Sequence, residues 1–520
     1  MLKITSAGAL SVLASGKAVT EMISASICQY DIFEVSLKGP PSGNPFLDVQ
    51  LKAVFSLEHR TVVVDGFYDG DGNYKIRFMP DSLGEWRYTT TSNASALNQQ
   101  SGGFLCTAAK TGNHGPVSVR FGHHFGYADG KPYFPFGTTC YAWVHQGKPY
   151  EEQTLATLRQ GPFNKIRMCV FPKSYEYNHN EPEFYLFPRT ARATPSNPMG
   201  TNDYSQFNPA FFAHFEKRLE ELRELNIEAD LILFHPYDRW GYAAMGPEVD
   251  ERYVRYVVAR FSAYRNVWWS LANEFDLMKA KTTQDFDRLL HLVQQCDPYQ
   301  HLRSIHYSKV MYDYASPAVT HASLQSYDFA SAVAWLKVWN KPVVYDEVMY
   351  EGNLPRRWGN LSGEEMTRRF WLGVIAGCYV THGETYLNAG GGEDENDKIW
   401  WSNGGKLSGS SPARIGFLRK LLEETTTTGL EASPEPYYLN AVSFAHGQQG
   451  FEAKAPAAIL YYFDFHQPIQ YTFPLGAGTY RAELIDPWQM TLTPVAGSFS
   501  GKPTLQLPGR PYQAIRFRSV

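Results

Sequence analysis

Hydrophobic and polar side chains alternate along residues 25–110, and turn-forming residues interrupt the alternation at short intervals. The clearest runs cover residues 46–55, 61–68 and 74–78. A period of two turns one face of a strand towards a core and the other towards solvent, and short strands separated by turns are typical of an antiparallel sandwich. The pattern predicts an N-terminal β-sandwich domain over residues 1–112.

One turn in this region resembles a calcium-binding loop. Residues 69–73 read Asp-Gly-Asp-Gly-Asn, and an EF-hand that begins at Asp69 requires glycine at its sixth position and glutamate at its twelfth. The chain has Tyr74 and Pro80 at those positions. A hairpin turn between two strands is therefore the better interpretation.

From about residue 115, short apolar strands alternate with helical stretches, such as the one carrying Phe212, Phe215, Leu219 and Leu222 at steps of three and four. Eight segments have strand character: 133–137, 165–171, 229–235, 267–274, 303–307, 322–327, 342–347 and 379–384. Eight strand–helix units over about 300 residues fit an α/β fold with a (β/α)₈ TIM barrel. We predict this barrel over residues 113–432. A doubly wound sheet is the alternative, because a count of strands does not establish closure.

Strand patterning returns near the C-terminus, in residues 458–463 and 479–485. It predicts a small C-terminal β-sandwich over residues 433–520. No fixed-period repeat interrupts this order of sandwich, barrel, sandwich.

Composition and charge narrow the function. Hydrophobic residues make up 43% of the 520 residues, which is enough for a large core, and the net charge of −4 offers no basic surface for nucleic acid. No apolar run approaches the roughly 20 residues of a membrane span. The six cysteines are scattered and predict reduced thiols, and residues 1–6 are a poor export signal. We expect a cytoplasmic enzyme, without nucleic-acid or membrane partners. A secreted protein whose leader has been trimmed is the alternative.

Polar residues gather where the predicted barrel strands end, which is where a TIM barrel builds its active site. They are Arg167, His235, Asn273, Glu274, His306, Tyr327, Asp346, Glu347 and Glu384. Two carboxyl groups on opposite walls of one pocket are what glycosidic cleavage requires. A separation of about 5–5.5 Å gives retention of configuration, and about 6.5–9.5 Å gives inversion. Asp346 is expected to point away from its neighbour Glu347 and to support it, because successive strand residues face opposite sides.

Residues 267–274, Val-Trp-Trp-Ser-Leu-Ala-Asn-Glu, resemble the fourth-strand signature of clan A glycoside hydrolases. The resemblance implies that Glu274 is the acid/base, that Asn273 contacts the sugar 2-hydroxyl, and that Glu347, ending the seventh strand, is the nucleophile. It further implies pocket roles for residues at the ends of the second, third and sixth strands. These are Arg167, His235 and Tyr327, and the clan often uses a tyrosine such as the last to bind the nucleophile.

The resemblance extends beyond the barrel. Residues 66–72 with 84–88, and residues 400–405, resemble a bacterial family of glycoside hydrolases with an N-terminal sandwich. The chain departs from clan A at the eighth strand, where Glu384 stands instead of a tryptophan. Trp400 or Trp401 is a candidate for the missing ring, and Glu384 is a third carboxylate that could bind sugar or be the partner of Glu274.

Each of these residues also has an ordinary structural interpretation. Arg167 could form a salt bridge, while His235 and His306 could satisfy backbone groups, and Tyr327 could pack with its hydroxyl in water. Of Trp400 and Trp401, one is expected to contact sugar and the other to pack. The aromatic segment 172–207 is long for a loop and is expected to narrow the pocket towards exo-action on a terminal sugar, unless it is a surface flap.

The expected reaction is double displacement, with Glu347 attacking the anomeric carbon and Glu274 donating and then accepting a proton. No organic cofactor or metal is expected, because the sequence has no HExxH pair, P-loop or clean GxGxxG motif. A non-catalytic carbohydrate-binding protein is the alternative from a different class. A barrel esterase or lyase is a third reading, and no Gly-x-Ser-x-Gly elbow supports the esterase. Flanking β-domains often provide association surfaces, so a homo-oligomer is a further alternative to a monomer.

Overall fold

The computed structural model describes residues 25–387, 398–433 and 455–520, together with the backbone of two strands at residues 9–13 and 441–445. Residues 1–6, on which the expectation about export depended, lie outside this part of the chain. Within it, no helix is both long and apolar enough to cross a membrane.

The N-terminal domain is a sandwich of two sheets, as the alternation predicts. One sheet has five strands, in the order Ser26–Cys28, Ser101–Thr107, Gly84–Ser92, Leu51–Leu57 and Arg60–Asp65. The other has four, in the order Ala9–Leu13, Ile32–Lys38, Asn73–Phe78 and Phe67–Tyr68. Stacked rings join the sheets, with centroid separations of 4.2 Å for Phe33 and Phe104 and 4.1 Å for Phe55 and Phe78.

The turn at residues 69–73 is a hairpin turn. The amide of Asn73 donates to the carbonyl oxygen of Gly70 at 2.8 Å, and the strands on either side pair. The Asp69 carboxylate lies 2.8 Å from Lys75 Nζ and 2.7 Å from Arg260 Nη1. Lys75 and Arg260 therefore neutralise the Asp69 carboxylate, the first acidic residue of the supposed calcium loop.

The central domain is a closed barrel of eight parallel strands in chain order. The strands are Phe136–Thr139, Lys165–Cys169, Glu228–Phe234, Val267–Ala272, Arg303–Ser304, Ala322–Gln325, Val343–Glu347 and Tyr379–His382. The eighth strand pairs with the first, and a parallel bridge between His306 and Ser323 joins the fifth to the sixth. This closure decides between the barrel and the doubly wound sheet.

Seven strands of the barrel are followed by a helix. The helices are Lys148–Gln160, Pro209–Glu224, Pro247–Phe261, Thr283–Cys296, Ala332–Trp339, Gly363–Ile375 and Ser411–Thr425. Between the fifth and sixth strands the described chain forms no helix. The buried ring of Tyr314 fills this place, and its hydroxyl donates to the Ile305 carbonyl oxygen at 2.9 Å. The fifth strand therefore lacks the helix expected of a strand–helix unit and continues into a connection without one.

Smaller elements surround the barrel. The hairpin of Val117–Arg120, His124–Tyr127 and Pro132–Tyr133 covers its lower end, where the strands begin. Short helices occupy Pro45–Asp48 and Trp400–Asn403, and 3₁₀ turns occupy Trp143–His145, Phe275–Leu277 and Arg357–Gly359. Two-stranded ribbons pair Arg189–Ala191 with Thr201–Asn202 and Glu351–Gly352 with Glu384–Thr385.

The C-terminal domain contains a six-stranded sheet and a two-stranded ribbon. The sheet order is Glu431–Ala432, Ala441–Ala445, Ala458–Tyr462, Ala514–Ser519, Gly476–Asp486 and Thr491–Gly501. The ribbon pairs Gln470–Thr472 with Thr504–Gln506. Ile459, Tyr461, Phe473 and Phe517 form the centre of its core. The domain boundaries at residues 112 and 432 stay predictions.

A buried ionic cluster connects the N-terminal domain to the barrel. Arg77 of the sandwich binds both carboxylate oxygens of Glu216, at 2.6 and 3.0 Å, and Arg260 binds the same carboxylate at 2.6 Å. Burial opposes the charge of Glu216, but Arg77 and Arg260 outweigh it and lower the pKa of Glu216 to about 2. The carboxylate is thereby held ionised between two cations.

Candidate active site

Glu274 lies two residues beyond the end of the fourth barrel strand and is almost fully buried. Its backbone is left-handed, with φ of 50°, and a 3₁₀ turn begins at the next residue. Few residues other than glycine adopt this conformation, and it tends to occur where a chain redirects a functional side chain. The turn ends the strand and turns the Glu274 carboxyl towards the barrel mouth.

Two neutral donors contact the Glu274 carboxyl. The hydroxyl of Tyr237 donates to Oε2. The side-chain amide of Gln325 lies 3.2 Å from Oε1 and 3.0 Å from the Tyr307 carbonyl oxygen, in the orientation that lets its nitrogen donate to both. Gln325 is also the register partner of Glu347 on the adjacent strand. It therefore links the elements that carry the two glutamates.

Glu347 is the last residue of the seventh strand, and 9% of it is exposed. The hydroxyl of Tyr141, which follows the first strand, donates to its Oε1. Arg167 Nη1 and His306 Nε2 lie 3.9 and 3.7 Å from the same oxygen. A phenol, a guanidinium and an imidazole thus surround one carboxyl oxygen.

The two glutamates interact electrostatically. Burial and the negative charge of Glu274 raise the pKa of Glu347 to about 7, against the opposing effects of Arg167, Tyr141 and Lys173. Neighbouring buried carboxyls resist holding two negative charges, so the pair keeps one proton until about pH 7. One proton on two carboxyls is the protonation state that acid-assisted glycosidic cleavage needs.

Arg167 is the centre of the polar network beneath the pair. Its fully buried guanidinium contacts Asn273 Oδ1 at 3.3 Å, the Tyr141 hydroxyl at 3.4 Å and Glu347 at 3.9 Å. Arg167 thereby positions the amide beside Glu274 and the carboxyl of Glu347 together. Both Arg167 and Asn273, predicted from strand ends, are brought to the glutamates.

Asp346 lies deeper in the barrel. Its carboxylate is occupied by Lys165 at 2.7 Å, Thr381 at 2.8 Å and Ser323 at 2.6 Å. Burial opposes its charge, but Lys165 and Arg167 outweigh burial and lower the pKa of Asp346. The supporting role expected for this residue fits these contacts.

The two predicted histidines differ in position. His306 binds Ser323 Oγ through Nδ1 at 3.0 Å and presents Nε2 to Glu347. His235 contacts the Phe171 carbonyl oxygen at 3.2 Å and packs on the Phe171 ring, and burial lowers the pKa of His235 to about 3. His306 therefore contacts Glu347, whereas His235 has no described hydrogen bond to either glutamate.

Two other predicted residues are not brought to the glutamates. Tyr327 is 52% exposed, and its ring lies under Arg369 at 5.1 Å. Glu384 accepts a hydrogen bond from the Ser408 amide and lies beside Glu351, its register partner. Burial raises the pKa of Glu384 to about 7 despite the donated hydrogen bonds. Neither side chain has a described contact with Glu274 or Glu347.

Trp400 and Trp401 have separate positions. Trp400 donates from Nε1 to Thr138 Oγ1 at 2.8 Å and is packed in the barrel wall. The Trp401 ring lies 5.7 Å from Tyr141 and 5.2 Å from Trp358, in an aromatic wall at the mouth. Of the two, Trp401 is therefore the ring that borders the site.

The sequence missed a lysine at the centre of that wall. Lys173 Nζ lies 4.0 Å from the ring centroids of both Tyr141 and Trp401, and 4.7 Å from that of Tyr237. Burial lowers the pKa of Lys173 to about 8, although both glutamates oppose the shift. An ammonium held against ring faces needs little water and supplies positive charge next to the two carboxyls.

Lys173 belongs to the long segment 172–207, which borders the mouth with its first residues. Tyr175 packs on Tyr237 at 4.9 Å and on Trp401 at 6.0 Å, and Glu176 pairs with Arg356 at 2.7 Å. The sequence contained a weak signal for Lys173 and Tyr237, which is their position just after predicted strands. Lys173 and Tyr237 each lie two residues beyond a residue already assigned to a strand end.

Comparison with known proteins assigns the barrel to a family. Residues 120–428 match the family model described as "Apiosidase-like, catalytic domain". Residues 26–93 and 448–518 match two domains of unknown function, DUF5060 and DUF5605. No curated protein matches the chain.

Solved structures agree with this assignment. A candidate glycoside hydrolase from Bacteroides vulgatus ATCC 8482 is 39% identical, with a TM-score of 0.88 over 96% of this chain and 100% of its own. A family 5 glycoside hydrolase from the same organism is 14% identical, with a TM-score of 0.58 over 78% of this chain and 94% of its own. The second likeness concerns the fold alone.

Proposed function

The chain belongs to the apiosidase-like family of catalytic domains and is a glycoside hydrolase, and from that premise we propose that it cleaves by a retaining double displacement. Glu347 attacks the anomeric carbon, and Glu274 protonates the departing oxygen and then activates water. The observation that carries the proposal is the pair itself. Glu274 lies two residues beyond the fourth strand and Glu347 ends the seventh. The two buried glutamates interact electrostatically, Gln325 links the elements that carry them, and Arg167 contacts Glu347 and the residue before Glu274.

The proton of the pair has to move for this mechanism to operate. In the free protein the raised pKa belongs to Glu347, which must be ionised to attack. The Arg167 guanidinium lies 3.9 Å from Glu347 and favours the negative charge there. We propose that substrate entry transfers the proton to Glu274, next to the leaving oxygen.

Trapping experiments test these two roles directly. A 2-fluoro glycoside with a good leaving group is expected to leave its sugar on Glu347, and peptide mass spectrometry identifies the labelled residue. Azide is expected to restore turnover of an activated aryl glycoside to both Glu274→Ala and Glu347→Ala, because either variant leaves a cavity that accepts the anion. The glycosyl azide is expected to keep the anomeric configuration of the substrate in Glu274→Ala, where azide attacks the glycosyl-enzyme, and to have the opposite configuration in Glu347→Ala, where azide displaces the leaving group directly. A label on Glu274 would reverse the assignment.

The stereochemical outcome tests retention separately. ¹H NMR of the first product released is expected to show the anomer of the substrate, before mutarotation. The opposite anomer would establish inversion and would assign Glu347 as the base that activates water.

We further propose exo-action on a terminal sugar. Tyr175, Tyr237 and Trp401 form an aromatic wall on the side of the mouth bordered by segment 172–207, and such walls suit the apolar faces of sugar rings. A panel of aryl glycosides, both anomers, pyranose and furanose, tests the substrate class. An aryl apioside belongs in it because of the family's name. Release of monosaccharide alone from an oligosaccharide supports exo-action, and internal cleavage contradicts it.

The complete catalytic pair counts against the alternative of a binding protein without turnover. Glu347→Gln keeps the shape of the pocket and removes the attacking carboxylate. Loss of turnover by orders of magnitude with retained sugar binding is the result expected of an enzyme.

A further inference from the structure

Three residues meet at the opposite end of the barrel from the glutamates. His123 and His124 stand at the start of the strand His124–Tyr127, in the hairpin that covers the lower end of the barrel. Glu431 begins the strand Glu431–Ala432, the first of the C-terminal sheet. The cluster therefore joins the catalytic barrel to the C-terminal domain.

The two imidazoles approach the two oxygens of one carboxylate. His123 Nε2 lies 3.3 Å from Glu431 Oε2, and His124 Nε2 lies 3.4 Å from Glu431 Oε1. The ring centroids are 4.6 Å apart, and one donor atom from each of the three residues lies within 4.8 Å of the others. All three can therefore reach a single point between them.

These separations are long for ion pairs. A charged hydrogen bond between imidazole and carboxylate spans about 2.7–2.9 Å, and His114 and Asp129, elsewhere in this domain, form one at 2.7 Å. Nitrogen and oxygen ligands at about 2.0–2.2 Å from a tetrahedral cation lie about 3.3 Å from each other. The two distances at Glu431, one to each carboxylate oxygen, have the length of the second arrangement.

The orientation of His124 supports a ligand role. Its Nδ1 lies 2.8 Å from the Tyr379 hydroxyl, which fixes the ring and leaves Nε2 facing Glu431. His124 is 2% exposed, and in the described part of the chain Nε2 makes no hydrogen bond. Metal-binding histidines use their second nitrogen in this way, in a contact that holds the ring in place.

The chain approaches the same ring closely on its way to Glu431. Gly429 has a φ of +125°, and a Cβ at this position would lie 2.4 Å from the His124 ring. Only glycine permits both the backbone conformation and the contact. The side chain of His123 is 19% exposed and that of Glu431 is 28% exposed, so an ion from solvent has access to the outer side of the cluster.

We propose that His123, His124 and Glu431 bind a zinc-type divalent cation, with water completing a tetrahedral site, and that this cation fastens the C-terminal domain to the barrel. Two imidazoles and a carboxylate are typical ligands of Zn²⁺, whereas Mg²⁺ and Ca²⁺ prefer oxygen alone. Short-range motifs could not predict the site, because Glu431 is far from the histidines in sequence.

The test uses the full chain without a histidine tag, stripped with EDTA and titrated with ZnCl₂. We expect one equivalent of zinc to bind and the thermal unfolding midpoint to rise, while MgCl₂ has no effect. Co²⁺ in place of zinc is expected to give the visible absorption of tetrahedral coordination. Absence of zinc binding by the native chain overturns the proposal.

Variants locate the binding. His123→Ala and Glu431→Gln are expected to weaken zinc binding by more than about 100-fold, with the native circular dichroism spectrum retained. His114→Ala is the matched control, since it removes a histidine–carboxylate pair for which the described residues provide no third metal ligand. Unchanged zinc affinity in the first two variants overturns the proposal. So does a loss of stability that is the same with and without zinc, because that result describes an ion pair only.

Discussion

The phenol of Tyr141 donates a hydrogen bond to Oε1 of Glu347. A donor on this oxygen stabilises the ionised carboxylate and orients it, and it is one of the effects that restrain the pKa of Glu347. Tyr141→Phe is therefore expected to lower kcat by about 10–100-fold and to raise the pKa of Glu347. Initial rates across pH measure both effects.

Tyr327→Phe is the control for this change. The family resemblance implied that Tyr327 would donate a hydrogen bond to Glu347, as Tyr141 does in the structure. The Tyr327 ring is instead half exposed and lies against Arg369. The kcat and pH profile of the Tyr327→Phe variant are expected to match those of the native enzyme. Equal losses in the two variants would contradict the assignment of Tyr141.

The activity is expected to fall as pH rises through about 7. The proposed mechanism needs one proton shared by Glu274 and Glu347. Burial and the charge of Glu274 raise the pKa of Glu347 to about 7. The pair therefore loses its last proton as pH rises through about 7. The pH dependence of kcat/KM for a substrate with a poor leaving group measures this limb. A dinitrophenyl glycoside, which needs no acid, is expected to be less sensitive.

Lys173→Met is expected to move that limb to higher pH. The Lys173 ammonium lowers the pKa of Glu347, so removing it lets the pair keep its proton further into the alkaline range. Methionine preserves the packing against the Tyr141 and Trp401 rings. A limb that stays in place, or moves to lower pH, would show that Lys173 does not act on the pair.

Glu384→Gln is expected to stabilise the protein at alkaline pH. Burial raises the pKa of Glu384 from 4.5 to about 7, so folding favours its protonated form. The stability that protonated Glu384 contributes is complete below the pKa of glutamate in the unfolded chain, and it is lost as pH rises through about 7. The variant is expected to gain about 1–3 kcal/mol at pH 8 and nothing at pH 4. Urea unfolding at the two pH values measures the difference, and a gain at both would contradict the linkage.

Glu216→Gln is expected to destabilise the junction between the N-terminal domain and the barrel by about 3–5 kcal/mol, because it leaves Arg77 and Arg260 buried without their shared partner. The native contribution is present above the unfolded pKa of glutamate and is lost as pH falls towards 2. Glu423→Gln, which breaks an exposed pair with Arg419, is the control and should cost less than about 0.5 kcal/mol. Chemical denaturation compares them.

Local sequence identified the two glutamates and their immediate support. Glu347, Arg167 and Asn273 lie in a strand or directly after one, and the alternation of side chains along a strand follows from backbone geometry over a few residues. Asp346 obeys the same rule. Residues whose direction depends on neighbours one or two positions away could therefore be predicted. Glu274 was identified by the resemblance of residues 267–274 to a family signature.

Tertiary packing decided the rest. Tyr327 and Glu274 each lie two residues beyond the end of a strand, where alternation no longer controls the direction of a side chain. The left-handed backbone of Glu274 accompanies a carboxyl that reaches the site, whereas Tyr327 lies against Arg369. Tyr141, Lys173 and Trp401 reach the site from segments after the first, second and eighth strands. The sequence by itself determined the strands, because these depend on short-range periodicity, and it identified the two glutamates through a local signature and a strand end. Closure of the barrel, the choice of Trp401 over Trp400, and the grouping of His123 and His124 with Glu431 depend on contacts between distant segments, which only the folded chain forms.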